Sequence, residues 1–162
     1  MPRTRRTTPV ELTERRALTA HELESLGAER FGPDPRWWTF GCPQCSELAD
    51  AGDFVLAGAD PNRVGRECIG RSLGALSRDP AVRAERGCDW AAYGMLPGPW
   101  SITVPGRRDD GTVDPDAEPK AIPGFAMART SRDAERSDEQ RAAVRAAWAA
   151  REAEHGAATD RA

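Results

Sequence analysis

Four residues in this chain have types and spacings that could do chemistry: Cys42, Cys45, Cys68 and Cys88. Cys42 and Cys45 enclose two residues, the spacing that lets one tight turn aim two thiolates at a single metal ion. Pro43 presets the backbone of that turn, and the N–H groups that follow can donate to the sulfurs. Glycine commonly follows the second cysteine of such a turn, but here the residue is Ser46. Cys68 and Cys88 are far apart in sequence, so each must be delivered by its own element. Gly70 and Gly87 beside them let the backbone approach the metal closely.

Four thiolates leave no position for water, and neither His21 nor His155 lies near a ligand in sequence. The set therefore predicts one closed, structural Zn²⁺ site rather than a catalytic one. Two disulfides would require an oxidising compartment, and nothing in the sequence indicates secretion. A redox Cys-x-x-Cys pair would require a surrounding thioredoxin-like βαβ pattern, which is missing. Arg66, Arg71 and Arg86 are placed to offset the formal charge of −2 that four thiolates give a Zn²⁺ centre.

Three segments must converge on that point, so the elements around them matter. Thr19 and Glu22 form a capping box, Leu18 and Leu23 a hydrophobic staple, and Gly32-Pro33 a stop. Together they predict a helix over residues 20–30. Trp37 to Phe40 is β-prone and leads into Cys42. Residues 50–57 predict a short helix, Asp60-Pro61 begins another, and a further stretch is expected within residues 66–76. Asp79-Pro80 repeats the start signal. Trp100 to Val104 alternates as a half-buried strand, with residues 122–127 as its partner across a mobile loop at 106–120. Ser137 and Gln140 open a last helix that ends near His155, with Gly156 as its stop.

Several familiar constellations fail. Gly65 to Ser72 nearly matches a phosphate-binding loop, but arginine replaces the lysine and no buried strand precedes it. Both histidines lie on terminal helices, so Ser-His-Asp and Cys-His machinery is not expected. Asp109-Asp110 sits in an open loop where nothing would shift a pKa. No catalytic residue is nominated. Net charge is −3, against a dedicated nucleic-acid binder. The N-terminus is basic without the apolar stretch of a signal peptide, and no segment is apolar enough to span a membrane. These features predict a cytoplasmic chain.

Cys42-Pro43-Gln44-Cys45, Glu67-Cys68-Ile69-Gly70-Arg71 and Gly87-Cys88-Asp89-Trp90 with Gly94 resemble a family of small uncharacterised proteins. These are zinc-ribbon-like proteins of bacteria, plasmids and phages. The resemblance spans residues 31–127 and includes Trp38, Phe40 and Asp53-Phe54. It implies that the four cysteines act as a set, hints at mobile-element biology, and carries no activity. The expected architecture is α+β: a small zinc-binding domain with a short antiparallel sheet, several short helices and a C-terminal helix. Residues 1–16 form a basic flexible arm, 17–128 the domain, and 129–162 a linker and helix. A non-enzymatic adaptor that binds a protein partner is the first functional expectation. A nucleic-acid-binding zinc module is the alternative. Candidate contacts for either are Arg3, Arg5, Arg6, Arg66, Arg71, Arg86, Trp37 and Trp148. Tryptophan contacts presuppose that a ring faces outward.

Overall fold

The computed structural model describes residues 9–82 and 86–159. Helix α1 (Ala20–Phe31) begins where its signals place it: Thr19 Oγ1 accepts the Glu22 N–H, and the Glu22 carboxylate accepts the Thr19 N–H at 2.7 Å. Ahead of it runs β1 (Arg16–Thr19), which pairs in parallel with β4 (Trp100–Val104) and brings Leu18 opposite Ile102. Strand β5 (Lys120–Gly124) pairs antiparallel on the other side of β4. The first sheet is therefore ordered β1-β4-β5. Its core is Leu12, Leu18, Trp100, Ala126 and Met127, with Leu23, Leu26 and Trp38 packed against it. Helix α1 meets Trp38 through Gly27, where a Cβ would lie 2.5 Å from the indole.

The segment assigned to a basic arm thus divides. Arg3, Arg5 and Arg6 lie outside the described residues. Val10–Leu12 forms a 3-10 turn whose Leu12 is 2% exposed in the core, and Arg16 opens β1. The α+β architecture expected from the sequence is present, with its short antiparallel sheet and C-terminal helix, and a further three-stranded sheet contains a parallel pair.

The second sheet is antiparallel and ordered β3-β2-β6, from β2 (Phe40–Gly41), β3 (Leu48–Ala49) and β6 (Ala126–Met127). Phe125 carries the chain from β5 to β6, donating its N–H to the Gly65 carbonyl at 2.7 Å. Helix α2 (Ala51–Leu56) starts at a capping box of Asp50 and Asp53 and closes before Gly58, as the sequence predicts. The β-prone stretch before Cys42 yields only β2. Asp34 caps a 3-10 turn over Pro35–Trp37 instead. The helical expectation at residues 66–76 shrinks to α3 (Ile69–Ser72), since Gly74 has φ 88° and ends it. Asp79-Pro80 starts a turn at residues 80–82, and the residues that follow it, 83–85, are outside the described set.

Short α4 (Arg132–Glu135) precedes α5 (Asp138–Thr159), which opens on the Ser137–Gln140 box. Gly156 does not stop α5. Its cost of ~1 kcal/mol relative to alanine is too small to break an Ala-rich helix. Helix α5 lies on α2, with Val144 1% exposed and so close that a Cβ on Gly52 would sit 2.6 Å from it. Arg36 stacks 5.5 Å from the Trp148 ring and reaches Glu152 at 3.1 Å.

Candidate metal centre

The Cys42-Pro43-Gln44-Cys45 turn joins β2 to β3. Cys42 donates its N–H to the Glu47 carbonyl, and Ser46 donates to the Cys42 carbonyl, each at 2.9 Å. Ser46 has φ 62°, the left-handed conformation in which glycine is the usual residue. The absence of that glycine in the sequence therefore marks a real strain in the turn.

Cys68 and Cys88 are brought together by backbone pairing. Cys68 donates its N–H to the Trp90 carbonyl at 3.0 Å, and Ala92 donates to the Arg66 carbonyl at 2.8 Å. Gly70 and Gly87 lie back to back: a Cβ on Gly87 would be 2.5 Å from the Gly70 nitrogen and 3.1 Å from the Cys68 sulfur. The glycines thus serve the approach of the two cysteine-bearing segments to each other, which is how they bring the sulfurs together.

All four sulfurs lie within 4.8 Å of one another. Cys42 and Cys88 are 3.7 Å apart at sulfur, as are Cys45 and Cys68. A tetrahedron with metal–sulfur bonds of ~2.3 Å has edges of about 3.8 Å, so the donors fit a four-coordinate ion. Phe40, Phe125, Ala92 and Trp90 surround the cluster, with the Trp90 and Phe125 rings 5.4 Å apart.

The bare thiols divide into two kinds. Hydrogen bonds to Cys45, Cys68 and Cys88, together with burial, push Cys42 far above the ordinary thiol range. The bond with Cys42 pulls Cys45 down, but its bonds with Cys68 and Cys88 and its burial outweigh that, and it too is raised. Cys68 is lowered to about 7 by bonds from Cys42 and Cys45. Cys88 is lowered further by bonds from Cys42, Cys45 and Cys68, with the Trp90 N–H adding to them. Four sulfurs gathered at one point form a site that a divalent cation, binding them as thiolates, would complete.

The guanidinium groups expected to neutralise the thiolates are directed elsewhere. Arg71 donates to the Asp89 carbonyl at 2.7 Å and sits 3.5 Å from Glu67. Arg86 bonds the Glu47 carboxylate, Asp53 at 2.9 Å and the Leu48 carbonyl at 2.8 Å. Arg66 is exposed, its guanidinium 5.5 Å from the Tyr93 ring. Donors to the sulfurs come from the backbone instead, as with the Cys88 N–H 3.3 Å from the Cys68 sulfur.

None of the five tryptophans, all among the described residues, is exposed. Trp37 is half-buried, and Trp148 is committed to α5 docking. Outward-facing apolar side chains instead cluster on the loop after Trp90, with Tyr93 48%, Leu96 72% and Met95 101% exposed. Sequence reasoning passed over that loop because Tyr93-Gly94-Met95-Leu96 has no periodicity.

It also missed a second polar cluster. Asp50 and Asp53, 0% and 5% exposed, cap α2 from within the core. Arg136 spans both Asp50 oxygens at 2.6 and 2.7 Å and reaches Asp53 at 3.1 Å. Arg132 adds a contact to Asp53 at 3.3 Å. Burial raises the Asp50 carboxyl despite the bond from Arg136. Burial also pushes Asp53 upward, but the bond from Arg86 and the charges of Arg86, Arg136 and Arg132 hold it below the usual carboxylate range. By linkage, Asp53 adds stability that is lost as acid carries the pH through its lowered value, while Asp50 acts in the opposite sense.

Fold and site together define an α+β protein with a four-cysteine centre fit for a metal ion. The chain belongs to the VVA0879-like family, which matches residues 19–114 and so includes all four cysteines. Arg132 and Arg136 fall outside the matched span. No curated protein and no solved structure matches the chain.

Proposed function

We propose that this protein is a non-enzymatic structural-zinc protein that works as a protein-interaction adaptor. The closed tetrathiolate geometry carries the reading. Thiolate-only donors at tetrahedral spacing select zinc or iron–sulfur chemistry over the hard divalent ions. A lone four-sulfur site with no open position suits Zn²⁺ in a structural role. The exposed apolar loop at Tyr93, Met95 and Leu96 supports the adaptor role, because it stands next to the metal centre that would hold it rigid. The resemblance to proteins of plasmids and phages supports a mobile-element origin and a cytoplasmic setting. Among the described residues no helix is long and apolar enough to cross a membrane.

Arg66 and Tyr93 also frame the nucleic-acid alternative, but Glu67 and Asp60 line the same depression. The net charge of −3 opposes it further. Immobilised full-length protein should retain a protein from its native host, and Met95→Glu with Leu96→Glu should abolish that retention while leaving circular dichroism unchanged. Binding of DNA or RNA that weakens steeply with salt would overturn the adaptor reading.

A further inference from the structure

The carboxylates at the start of α2 are shared by two parts of the chain that are distant in sequence. Asp53 Oδ1 receives Arg86 Nη1 at 2.9 Å and Arg136 Nη2 at 3.1 Å. Arg86 lies two residues before Cys88, and its guanidinium also bonds Glu47 and the Leu48 carbonyl, on the segment leaving the Cys42–Cys45 turn. Arg136 links α4 to α5 and is 1% exposed at its side chain. An unbroken polar path therefore runs from the Cys42–Cys45 turn and the Cys88 loop, through Arg86 and Asp53, to the helix docked on α2. Glu47, Asp50 and Asp53 face Arg86, Arg132 and Arg136, and Glu135 and Asp133 on α4 reach the last two arginines as well.

We propose that metal occupancy at the four cysteines and docking of α5 on α2 are energetically coupled through Arg86 and Asp53. The proposal rests on the metal reading above. A metal ion fixes Cys88 against Cys68 and the Cys42–Cys45 turn, which fixes Arg86 between Glu47 and Asp53. Without the ion the sulfurs lose the bonds that tie Cys88 to Cys68 and to the Cys42–Cys45 turn, and the loop bearing Arg86 is held less firmly. Asp53 then loses a donor in a buried site where it also faces Asp50, and the seat of Arg136 loosens. Helix α5 is the element with two arrangements, docked and released. Coupling of this kind is reciprocal: whatever factor the metal adds to docking, docking adds to metal affinity.

Hydrogen exchange read by mass spectrometry on the full chain tests this. Three samples are compared: zinc-loaded wild type, zinc-stripped wild type and zinc-loaded Arg86→Gln. Protection of amides over residues 141–152 should fall about tenfold in zinc-loaded Arg86→Gln, a factor within the usual range of coupling, and at least as far in the stripped wild type. Protection over Ala20–Phe31 should hold in Arg86→Gln, which separates undocking from unfolding. Conversely, Arg136→Met should weaken zinc binding by a similar factor in competition with a chromophoric chelator. If stripping unfolds the whole chain, the zinc-loaded Arg86→Gln and Arg136→Met proteins decide. Normal zinc binding with wild-type protection in Arg86→Gln, or unchanged affinity in Arg136→Met, overturns the coupling alone. A wild-type chain that binds no zinc overturns the metal reading and the coupling together.

Discussion

Cys68→Ser should unfold the core, and Cys42→Ser should do the same. Structural zinc sites contribute about 10–16 kcal/mol of binding free energy to folding, against a total stability of about 5–15 kcal/mol for a domain. Serine cannot replace a thiolate ligand, so either substitution removes most of that contribution. The consequence reaches beyond the site because three chain segments meet at the sulfurs, and Phe125, which joins the two sheets, packs against them. Trp90 lies against Phe125, and Trp100 is 4% exposed in the adjoining core. Tryptophan emission should therefore move to the red in both variants, with loss of the cooperative thermal transition. A native-like spectrum in either variant would show that the fold does not depend on the four cysteines as a set.

Arg136→Ala is expected to have the second-largest effect. The Arg136 side chain is 1% exposed and that of Asp50 0%. Removing the guanidinium leaves Asp50 buried without its bidentate partner, a change that costs about 3–5 kcal/mol. For a chain of this size that corresponds to a fall in midpoint of about 10 °C or more. Arg136→Lys should recover only part of the loss, because an ammonium keeps the charge but not the fork that spans both oxygens. Calorimetry on the three proteins checks the order wild type, lysine, alanine. An alanine variant within about 0.5 kcal/mol of wild type, the range of an ordinary surface substitution, would mean that the pair does not hold α5 in place.

These two expectations differ in how far the sequence foretold them. The clustering of the four cysteines was legible because cysteine is rare here and Cys42-x-x-Cys45 has one strong physical reading. Short-range signals were equally readable: the boxes at Thr19–Glu22 and Ser137–Gln140 and the alternation in Trp100–Val104 each specify an element within a few residues. Strand β1 was not readable, because Leu18 is its only buried residue and its partner β4 lies some eighty positions away. Docking of α5 was hidden for a related reason. Arg136 and Asp50 are 86 residues apart, and nothing local distinguishes that pair among 23 basic and 26 acidic residues. Trp148 and Arg86, both candidate contacts in the sequence, are half-buried and make contacts within the chain. Pairings across long separations are set by the packed fold, and local periodicity does not encode them.

The central claim is that four sulfurs hold one zinc ion. X-ray absorption at the zinc edge of the purified full-length protein tests it most directly. The account predicts one zinc per chain in a shell of four sulfurs at about 2.3 Å, with no nitrogen or oxygen ligand. A folded protein without zinc, or a shell containing oxygen or nitrogen, would contradict it.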